Sequence, residues 1–427
     1  MKQTPLQRGP HTDIAALISN HARDLSERLD QHRHELFPPS AEKPLRAFQL
    51  HEAAKFLGVK PGYLRNLSLE GRGPLPAVTP SGRRFYTAEQ IHALRAYLAE
   101  TGRAARHYLP HRRAKEHLQV VPVVNFKGGS CKTTTAANLG QHLALRGFRV
   151  LAIDLDPQAS LSALCGFQPE LDIGPNQSLY GAIRYDDNAR RLSEIIRRTN
   201  FPGLDIVPGN IELTEFEYDT PRMLAETSGQ AGPMFFSRLD DALADVRSSY
   251  DVVVIDCPPQ LGYLTMAALC SATGVLITVH PQMLDVMSMC QFLLMMGNVL
   301  TQLQKAGVAL QYDWMRYVVT RFEPADGPQG QMVDFMRSLF GEHVLSHPML
   351  KSVAISDAGL TKQTLYEVER RQFTPATYDR AIKCLDDVNG EIEQLICSAW
   401  GRSSVPGLTA ELPEIAPSPL AELAHGT

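Results

Sequence analysis

The sequence contains no long uninterrupted hydrophobic run and no paired cysteine motif, although its 427 residues include seven cysteines. Without about 18 consecutive apolar residues, a membrane-spanning helix is not expected. The first residues show neither a continuous apolar core nor a small-residue cleavage site, so we expect no secretory signal. Because no two cysteines form a CxxC pair, a zinc ribbon or thioredoxin-type site is not expected either, and the thiols suit a reducing cytoplasm.

Aromatic and charged residues are also few, at 7% and 21%, whereas apolar residues make up 44% of the chain. This balance is ordinary for a globular protein and excludes wholesale disorder or a collagen-like repeat. At roughly 100–200 residues per domain, the length predicts two or three domains.

The small net charge of −4 is unevenly distributed. Between Arg46 and Lys115 there are 13 basic and four acidic residues, a net +9, so the rest of the chain carries −13. Such a segment indicates either a nucleic-acid-binding module attached to an acidic body or a solvated basic face without a partner.

From Val120 onward, short apolar runs alternate with helical patterns. The runs are VVPVVNF, RVLAIDLD, LDIVPG, YDVVVIDC, GVLITVHP and MRYVVTRF. This spacing predicts βαβ units and an α/β fold whose parallel sheet is covered on both faces. Helical patterns are also predicted for residues 14–36 and for about 375–400, and the proline-rich end of the chain is predicted to be loosely ordered.

A glycine-containing loop follows the first of these strands and precedes a helix. Gly128 and Gly129 allow the backbone to curl so that successive N–H groups point inward at phosphate oxygens. The start of the following helix adds a partial positive charge. Lys132 is expected to contact the β- and γ-phosphates, and the Thr133 hydroxyl is expected to ligate Mg²⁺.

This loop departs from the common pattern G-x-x-x-x-G-K-[ST], because Phe126 and Cys131 occupy the two glycine positions. It matches instead the deviant form K-G-G-x-x-K-[ST], in which an additional lysine, Lys127, begins the loop. Cys131 is interpreted as a tolerated small residue. The alternative is a thiol whose pKa is lowered by the helix N-terminus and two lysines, which would make it easily oxidised.

Two further strands end in carboxylates. Asp154 and Asp156 follow one strand at alternate positions and are expected to share a face, while Asp256 ends another strand before Pro258 and Pro259. Ligands of open parallel sheets bind beyond the carboxyl ends of the strands. One of these groups is expected to hold Mg²⁺ or its water, and another to orient or deprotonate an attacking water.

These three motifs, in this order, resemble the deviant-Walker ATPases, and the likeness to ParA-type plasmid partition ATPases extends over residues 45–402. The resemblance implies ATP and Mg²⁺ as cofactors. It also implies that Lys127 reaches across an ATP-sandwich dimer to the partner's phosphates. The cradle would be formed by Gly128, Gly129, Ser130, Cys131, Lys132, Thr133 and Thr134.

The same resemblance implies roles for the remaining site residues. Asp156 would activate the water, Asp154 and Asp256 would lie on the metal side with Thr133, and Pro258-Pro259 would sense the γ-phosphate. Lys351 matches a basic position that contacts non-specific DNA in relatives, and an ordinary surface lysine is the less favoured alternative.

The basic N-terminal segment predicts a helix-turn-helix followed by a β-hairpin. Gly58 opens the turn, and Pro61 suits the first turn of the second helix. That helix would present four side chains to DNA, namely Lys60, Tyr63, Arg65 and Asn66. Arg83 and Arg84 lie at the tip of the predicted hairpin, where they would contact phosphates or the minor groove. The order resembles a MerR-like winged helix-turn-helix, and a plain helical hairpin is the alternative.

Five segments are therefore expected: an N-terminal helical extension (1–44), a winged helix-turn-helix domain (45–100), a basic linker (101–118), a ParA-type P-loop ATPase domain (119–402) and a flexible tail (403–427). A capping box formed by Thr87 and Gln90 is expected to start the helix after the hairpin.

The expected function is that of a cytoplasmic plasmid partition ATPase with a weak intrinsic rate. It would dimerise on ATP, bind DNA non-specifically, respond to a ParB-type centromere-binding partner and repress its own operon. The alternative is a nucleotide-switched repressor without significant motor activity. A membrane-positioning ATPase like MinD is disfavoured by the proline-rich acidic tail. An iron–sulfur reductase is disfavoured by the lack of a second matching cysteine.

Overall fold

The computed structural model describes residues 13–36, 43, 45–101, 108–226 and 235–402. The predicted tail at residues 403–427 lies outside the described residues, as do residues 102–107 of the predicted linker 101–118.

The chain divides into two units, residues 1–44 and residues 45–427. In the first unit, helix α1 (Ile14–Leu36) confirms the helical pattern predicted there. Asp13 begins this helix, because its carboxylate accepts hydrogen bonds from the backbone N–H groups of Ala15 and Ala16.

The second unit begins with a helix-turn-helix and a small antiparallel sheet. Its elements are β1 (Phe48–Gln49), α2 (Leu50–Leu57), α3 (Pro61–Leu69), β2 (Ala77–Val78), β3 (Arg84–Tyr86) and α4 (Ala88–Thr101). The predicted turn and hairpin are both present. Gly58 ends α2 in the left-handed conformation at φ 67°, and β2 pairs with β3 antiparallel in the order β1-β3-β2. We call residues 45–101 the winged segment.

Seven strands form the main sheet. They are β4 (Gln119–Val124), β5 (Val150–Asp154), β6 (Arg197–Arg198), β7 (Leu204–Val207), β8 (Val252–Asp256), β9 (Gly274–Val279) and β10 (Trp314–Val319). The order is β10-β9-β4-β8-β5-β7-β6, and every pairing is parallel except that of β6 with β7. The six predicted strands are confirmed, and β6 is an additional short antiparallel edge strand.

The helices of the second unit after α4 connect and cover these strands. They are α5 (Lys132–Arg146), α6 (Ser160–Leu164), α7 (Pro169–Asp172), α8 (Tyr180–Ile183), α9 (Leu192–Ile195), α10 (Leu213–Glu226), α11 (Arg238–Ala244), α12 (Tyr263–Ser271), α13 (Met283–Lys305), α14 (Gly327–Phe340), α15 (Val353–Leu360) and α16 (Pro375–Ala399). The last of these confirms the helix predicted for about residues 375–400.

Both faces of the sheet are covered, which explains its continuous apolar strands. Alternate residues of β4 point to opposite sides: Val121 and Val123 join one apolar core, and Val120 and Val124 join the other. The first core includes α5, α16 and the apolar side chains of the winged segment. Of the described helices, α13 alone has the length and apolar composition of a membrane span, and a single such helix is weak evidence for one.

Candidate nucleotide-binding site

A loop connects β4 to α5 at the carboxyl edge of the sheet, and its backbone requires unusual conformations. Gly129 has φ 75° and Cys131 has φ 66°, both in the left-handed region. Glycine adopts this region without steric cost, whereas a cysteine does so at a cost of about 1–2 kcal/mol. Helix α5 then begins at Lys132, so its free N–H groups face the loop.

Side chains from three neighbouring strands hold the loop in place. The Asn125 carboxamide accepts a hydrogen bond from the Lys127 N–H at 2.9 Å and donates one to the carbonyl of Thr278. The Thr278 hydroxyl donates to Ser130 Oγ at 3.0 Å, and the Thr320 hydroxyl donates to the Ser130 carbonyl at 3.1 Å. These hydrogen bonds fix the backbone conformation of the loop.

Lys132 is the cation at the centre of the loop. Its side chain is buried, and its Nζ donates to the Lys127 carbonyl at 3.2 Å. Burial lowers the pKa of Lys132, while the nearby carboxylates of Asp256 and Asp156 act to raise it. A bound phosphate would replace the neutral Lys127 carbonyl as the partner of the Lys132 ammonium. Its negative charge would favour the protonated form of Lys132.

Neighbouring strands β5 and β8 bring two predicted carboxylates together. Asp154 and Asp256 stand opposite each other in the parallel ladder, and neither is exposed. Burial is the main cause that raises the pKa of Asp154 to about 7, and the pKa of Asp256 is also raised, first by burial and then by the charge of Asp154. Asp156 follows β5, is half-buried, and accepts a hydrogen bond from the Gln158 N–H at 2.9 Å.

The two buried carboxylates differ in their hydrogen bonds. Asp154 Oδ2 accepts bonds from both the N–H and the hydroxyl of Ser162, each at 2.7 Å. Within the described residues, neither oxygen of Asp256 has a partner in ordinary hydrogen-bond geometry, although the Thr133 hydroxyl is close enough to lower its pKa as a hydrogen-bond donor. Since Thr133 and Lys132 both act to lower the pKa of Asp256, they face the same carboxylate.

An unpartnered buried carboxylate beside a threonine hydroxyl fits Mg²⁺, which prefers oxygen ligands. In the part of the chain that the structure describes, no cluster of three or more His, Cys, Asp or Glu side chains could hold a metal by itself. Mg²⁺ usually keeps several waters and takes further oxygens from substrate phosphates. Asp256 and Thr133 could hold such an ion, whereas Asp154 Oδ2 already accepts two hydrogen bonds from Ser162.

Cys131 shows the reverse of the lowered thiol pKa considered from the sequence. Burial raises the pKa of this thiol, and the opposing charges of Arg321 and Lys132 do not overcome it. A thiol with a raised pKa is less nucleophilic at neutral pH. The structure therefore offers no support for Cys131 as a redox switch.

The remaining predicted site residues lie around this edge of the sheet. Pro258 is buried and Pro259 is exposed just after β8. Thr134 lies in the first turn of α5 and is half-buried. The Lys127 ammonium, 45% exposed at its side chain, forms an ion pair with Asp285 at the start of α13.

Five residues that the structure brings to this site were not predicted from the sequence, namely Asn125, Ser162, Thr278, Asp285 and Thr320. Asn125 stands between strand and loop, where a polar residue interrupts the apolar run, and this could have identified it. The others come from distant segments that only the sheet brings to the loop.

The predicted DNA-contacting residues lie away from the phosphate loop. On α3 and at its start, Lys60, Arg65 and Asn66 are exposed and Tyr63 is half-buried. At the hairpin, Arg83 is exposed, whereas Arg84 donates to Ser68 Oγ at 3.2 Å and to the Gly82 carbonyl at 3.3 Å.

Lys351 precedes α15 and pairs with Glu323 at 2.8 Å. Its charge is therefore partly neutralised in the free protein.

Comparison with known proteins places this site in a family. The AAA domain model matches residues 118–307. A protein of Sinorhizobium fredii named "Putative replication protein A" is 60% identical over 382 residues, covering 89% of this chain and 93% of the relative. A protein of the same name from Rhizobium rhizogenes is 56% identical over 389 residues, 91% of this chain and 96% of the relative.

The chromosome partitioning protein ParA of Caulobacter vibrioides is 31% identical over 252 residues, covering 56% of this chain and 84% of that protein. A solved structure described as a partition protein matches with a TM-score of 0.57 and 16% identity, covering 91% of this chain and 97% of its own. This likeness confirms the α/β fold with a parallel sheet.

Proposed function

The chain belongs to the ParA-type partition ATPases, and we propose that it is a plasmid partition ATPase that hydrolyses ATP with Mg²⁺. The observation that carries the proposal is the convergence of a preformed phosphate loop, the buried Lys132 and the unpartnered carboxylate of Asp256 at one edge of the sheet. Few other ligands than a nucleotide polyphosphate with its metal would satisfy all three groups.

The residues of the loop bind and orient the nucleotide. Backbone N–H groups from Gly128 to Thr134 surround the phosphates, and Lys132 places its charge against the β- and γ-phosphates. Thr133 and Asp256 would hold Mg²⁺, which when bound offsets the charge on the phosphate oxygens. Asp156 is half-buried and free to orient a water toward the γ-phosphate, and Pro258-Pro259 would respond to whether that phosphate is present.

The enzymatic test is a steady-state ATPase assay on the wild type, Lys132→Ala and Asp156→Ala, with DNA and the centromere-binding protein present or absent. We expect a weak basal rate, strong stimulation by DNA with the partner, and loss of stimulated turnover in both variants. Binding of a labelled ATP analogue distinguishes them, because Asp156→Ala should still bind nucleotide. If the partner gave no stimulation and Asp156→Ala had no effect, the nucleotide-switched repressor would be the better description.

A homodimer is proposed because an apolar surface lies beside the loop. The first half of α13 exposes large side chains that include Met283 (62%), Leu284 (75%) and Met287 (58%), and Asp285 of the same turn contacts Lys127. An exposed apolar patch of this kind marks an interaction site. A second ATP-bound copy docked there would bring its phosphates within reach of Lys127, as the ParA resemblance implies.

The winged segment is proposed to bind the operator of the protein's own operon, in the manner of a MerR-like winged helix-turn-helix. Its support is the net charge of +9 between Arg46 and Lys115, the exposed Arg65 and Asn66 on α3, and the exposed Arg83 at the hairpin tip. The proposed boundaries remain residues 45–100 for this domain and 119–402 for the ATPase domain. Non-specific DNA binding by the ATP form, which would place the protein on the nucleoid in the cytoplasm, is assigned to Lys351 and its surroundings.

The DNA test is a gel shift with operator and random duplexes in the presence of ATP or ADP. We expect operator binding to depend on the winged segment, so that Arg83→Ala weakens it and lowers the slope of log affinity against log salt by about one. Arg72→Ala is the matched control, since Arg72 is also exposed but is bound to Glu70 and Tyr97. Equal binding of both duplexes with both nucleotides would refute the regulatory part of the proposal.

A further inference from the structure

Asp285 is a buried carboxylate at the edge of the nucleotide site that the chemistry above does not use. It lies in the first turn of α13 and is 9% exposed. One of its oxygens pairs with Lys127 Nζ, and the other lies 3.3 Å from His280 Nδ1 at the end of β9. The helix N-terminus adds favourable partial charge, so this carboxylate is held in place from three directions.

This contact has a direct consequence for Lys127. A lysine that must reach the phosphates of a second copy is here bound within its own chain, and both interactions use the same ammonium. We propose that Asp285 is a positioning residue that retains Lys127 in its own protomer and so sets the threshold for ATP-dependent dimerisation. The inference rests on the proposed function, in which Lys127 acts across the dimer.

The surroundings of Lys127 allow the exchange that this requires. Its side chain is 45% exposed, and the two residues after it, Gly128 and Gly129, have open space around their Cα atoms. The ammonium can therefore leave Asp285 without moving the strands or helices that hold the loop. Only a partner with higher negative charge density, such as a polyphosphate, competes with a carboxylate for it.

When Lys127 moves to the phosphates of a second copy, the carboxylate of Asp285 loses its ion pair. This loss explains why the contact opposes dimerisation. Met283, Leu284 and Met287 surround Asp285 along α13, and docking of a second copy on them removes water from the site. Once Lys127 has left, the already buried Asp285 would keep His280, 3.3 Å away, as its neighbour among the described residues. Burial lowers the pKa of His280, and so does the charge of Arg321, against the opposing effect of Asp285. His280 therefore compensates the charge of Asp285 less well than the Lys127 ammonium does.

The experiment is a double-mutant cycle on the full chain, using Asp285→Asn, Lys127→Ala and the combined variant. Dimer dissociation constants are measured by analytical ultracentrifugation with a non-hydrolysable ATP analogue and Mg²⁺, and again with ADP. We expect Asp285→Asn to tighten the ATP-dependent dimer about tenfold and to have no effect in the Lys127→Ala background. Asp285→Glu, which keeps the charge, should behave like the wild type.

Two controls test whether an effect of Asp285→Asn on the dimer constant comes from losing the contact with Lys127. The other causes to be excluded are a general loss of negative charge and a loss of folding. Glu323→Gln removes the carboxylate partner of another exposed lysine, Lys351, and should leave the dimer constant unchanged. Circular dichroism and thermal unfolding check that Asp285→Asn folds. If it does not, Asp285→Ser, which is compatible with the first turn of a helix, replaces it.

The outcomes distinguish this inference from the proposed function. If the wild type does not dimerise with the ATP analogue, or if Lys127→Ala dimerises as well as the wild type, the proposed sandwich dimer is wrong. If both behave as proposed but Asp285→Asn leaves the dimer constant unchanged or weakens the dimer, Asp285 does not restrain Lys127. A tightening that persists in the Lys127→Ala background would also overturn the inference, because it would reflect charge alone.

Discussion

At the scale of one residue, Cys131 has a backbone conformation that favours glycine although it carries a side chain. Its φ of 66° is a conformation suited to glycine, yet it carries a half-buried side chain that contacts Thr320. The left-handed conformation costs a non-glycine residue about 1–2 kcal/mol. Such strain persists at functional sites where surrounding contacts determine the backbone, and here Ser130 is held by Thr278 and Thr320.

Replacing Cys131 with glycine should therefore stabilise the free protein. We expect Cys131→Gly to raise the free energy of unfolding by about 1 kcal/mol, because the strain is removed. Urea denaturation without nucleotide measures this. Cys290→Gly, in the exposed interior of α13, is the control and should lower stability, since glycine is a poor helix former. A loss of stability in Cys131→Gly would mean that packing of the thiol outweighs the strain.

The buried carboxyl group of Asp256, which is proposed to bind Mg²⁺, lowers the stability of the free protein. It is fully buried beside Asp154, and among the described residues neither of its oxygens has a partner in ordinary hydrogen-bond geometry, with only the nearby Thr133 hydroxyl lowering its pKa as a hydrogen-bond donor. A carboxyl group whose pKa is raised on folding favours the folded state while it is protonated, and this advantage is lost as pH rises through the raised pKa. The free protein should therefore lose stability between the unfolded carboxyl pKa near 4 and the folded value, which for Asp154 is about 7.

Asp256→Asn should remove this loss while abolishing Mg²⁺-dependent ATPase activity. At pH 7.5 and without nucleotide, we expect it to raise the free energy of unfolding by about 1–2 kcal/mol relative to the wild type, and to have little effect at pH 4. Denaturation curves across that pH range provide the measurement. Equal stability of the two proteins at both pH values would contradict the interpretation of Asp256 as an unsatisfied buried charge.

At the scale of an element, α5 is anchored at both ends. It begins in the phosphate loop and ends at Gly147, which has φ 97° and closes the helix through its N–H. A Cβ at this glycine would lie 2.7 Å from Cδ of Arg95, a side chain buried between α4, α2 and α5. Gly147 is therefore required both by backbone conformation and by the close approach of Arg95.

Gly147→Ala should destabilise the protein by about 2 kcal/mol, because it adds left-handed strain and displaces the Arg95 guanidinium from its carbonyl acceptors. Gly297→Ala is the matched control in the middle of α13, where nothing lies within 4 Å of the added methyl group. That control should stabilise the protein by about 0.5–1 kcal/mol. Thermal unfolding of both variants gives the comparison, and similar effects of the two substitutions would contradict the role assigned to Gly147.

Across the whole molecule, a buried cluster of charges joins the winged segment to the ATPase domain. Arg146, at the end of α5, pairs with Glu393 of α16 at 3.0 Å and donates to the carbonyls of Lys55 and Phe56 in α2. His142 bonds to Glu393 at 3.2 Å. Helix α5, which begins in the loop after β4, thus contacts α2 at its other end, and the winged segment shares one apolar core with α5 and α16.

This cluster determines how stability depends on pH. Burial acts to raise the pKa of Asp386, but His142 and Lys55 lower it to about 2, and the pKa of Glu393 is also lowered against the effect of its burial. Burial acts to lower the pKa of His142, but hydrogen bonds and charges from Asp386 and Glu393 raise it overall. The carboxylates stabilise the fold above their unfolded pKa, and their contribution is lost as pH falls from about 4 toward 2. The His142 contribution is complete below pH 6.5 and is lost as pH rises through its folded pKa.

Glu393→Gln should destabilise the protein by about 3 kcal/mol at pH 6, because it leaves Arg146 buried without its carboxylate and leaves His142 with Asp386 alone. The fall in stability expected for the wild type above pH 6.5 should become smaller in this variant. Chemical denaturation at pH 6 and pH 8 measures both effects. Asp387 of the same helix is half-buried, and its ion pair among the described residues is with the exposed Lys383, so Asp387→Asn should change little. A Glu393→Gln protein as stable as the wild type would show that the cluster does not hold the domains together.

Much of the fold and the core of the site followed from the sequence, because they depend on short-range patterns. Six strands, the hairpin, and the hydrogen bonds between Thr87 and Gln90 were predicted from periodicity and turn residues, and the structure confirms them. The phosphate loop could be identified because its chemistry lies within eight consecutive residues, from Lys127 to Thr134. The two-residue edge strand β6 was missed since it is too short to show a pattern.

The tertiary structure alone determined which residues that are distant in the sequence come into contact. The partners of Lys127 and Arg146 lie 158 and 247 residues away in the chain, and no local pattern specifies such pairings. The sequence by itself determined that strands end in carboxylates beside a phosphate loop. Only the packing of the sheet determined that Asp154 is satisfied by Ser162 while Asp256 is left open, and that Asp285 holds Lys127. The physical reason is that secondary structure depends on neighbouring residues, whereas charge pairing and burial depend on long-range contacts.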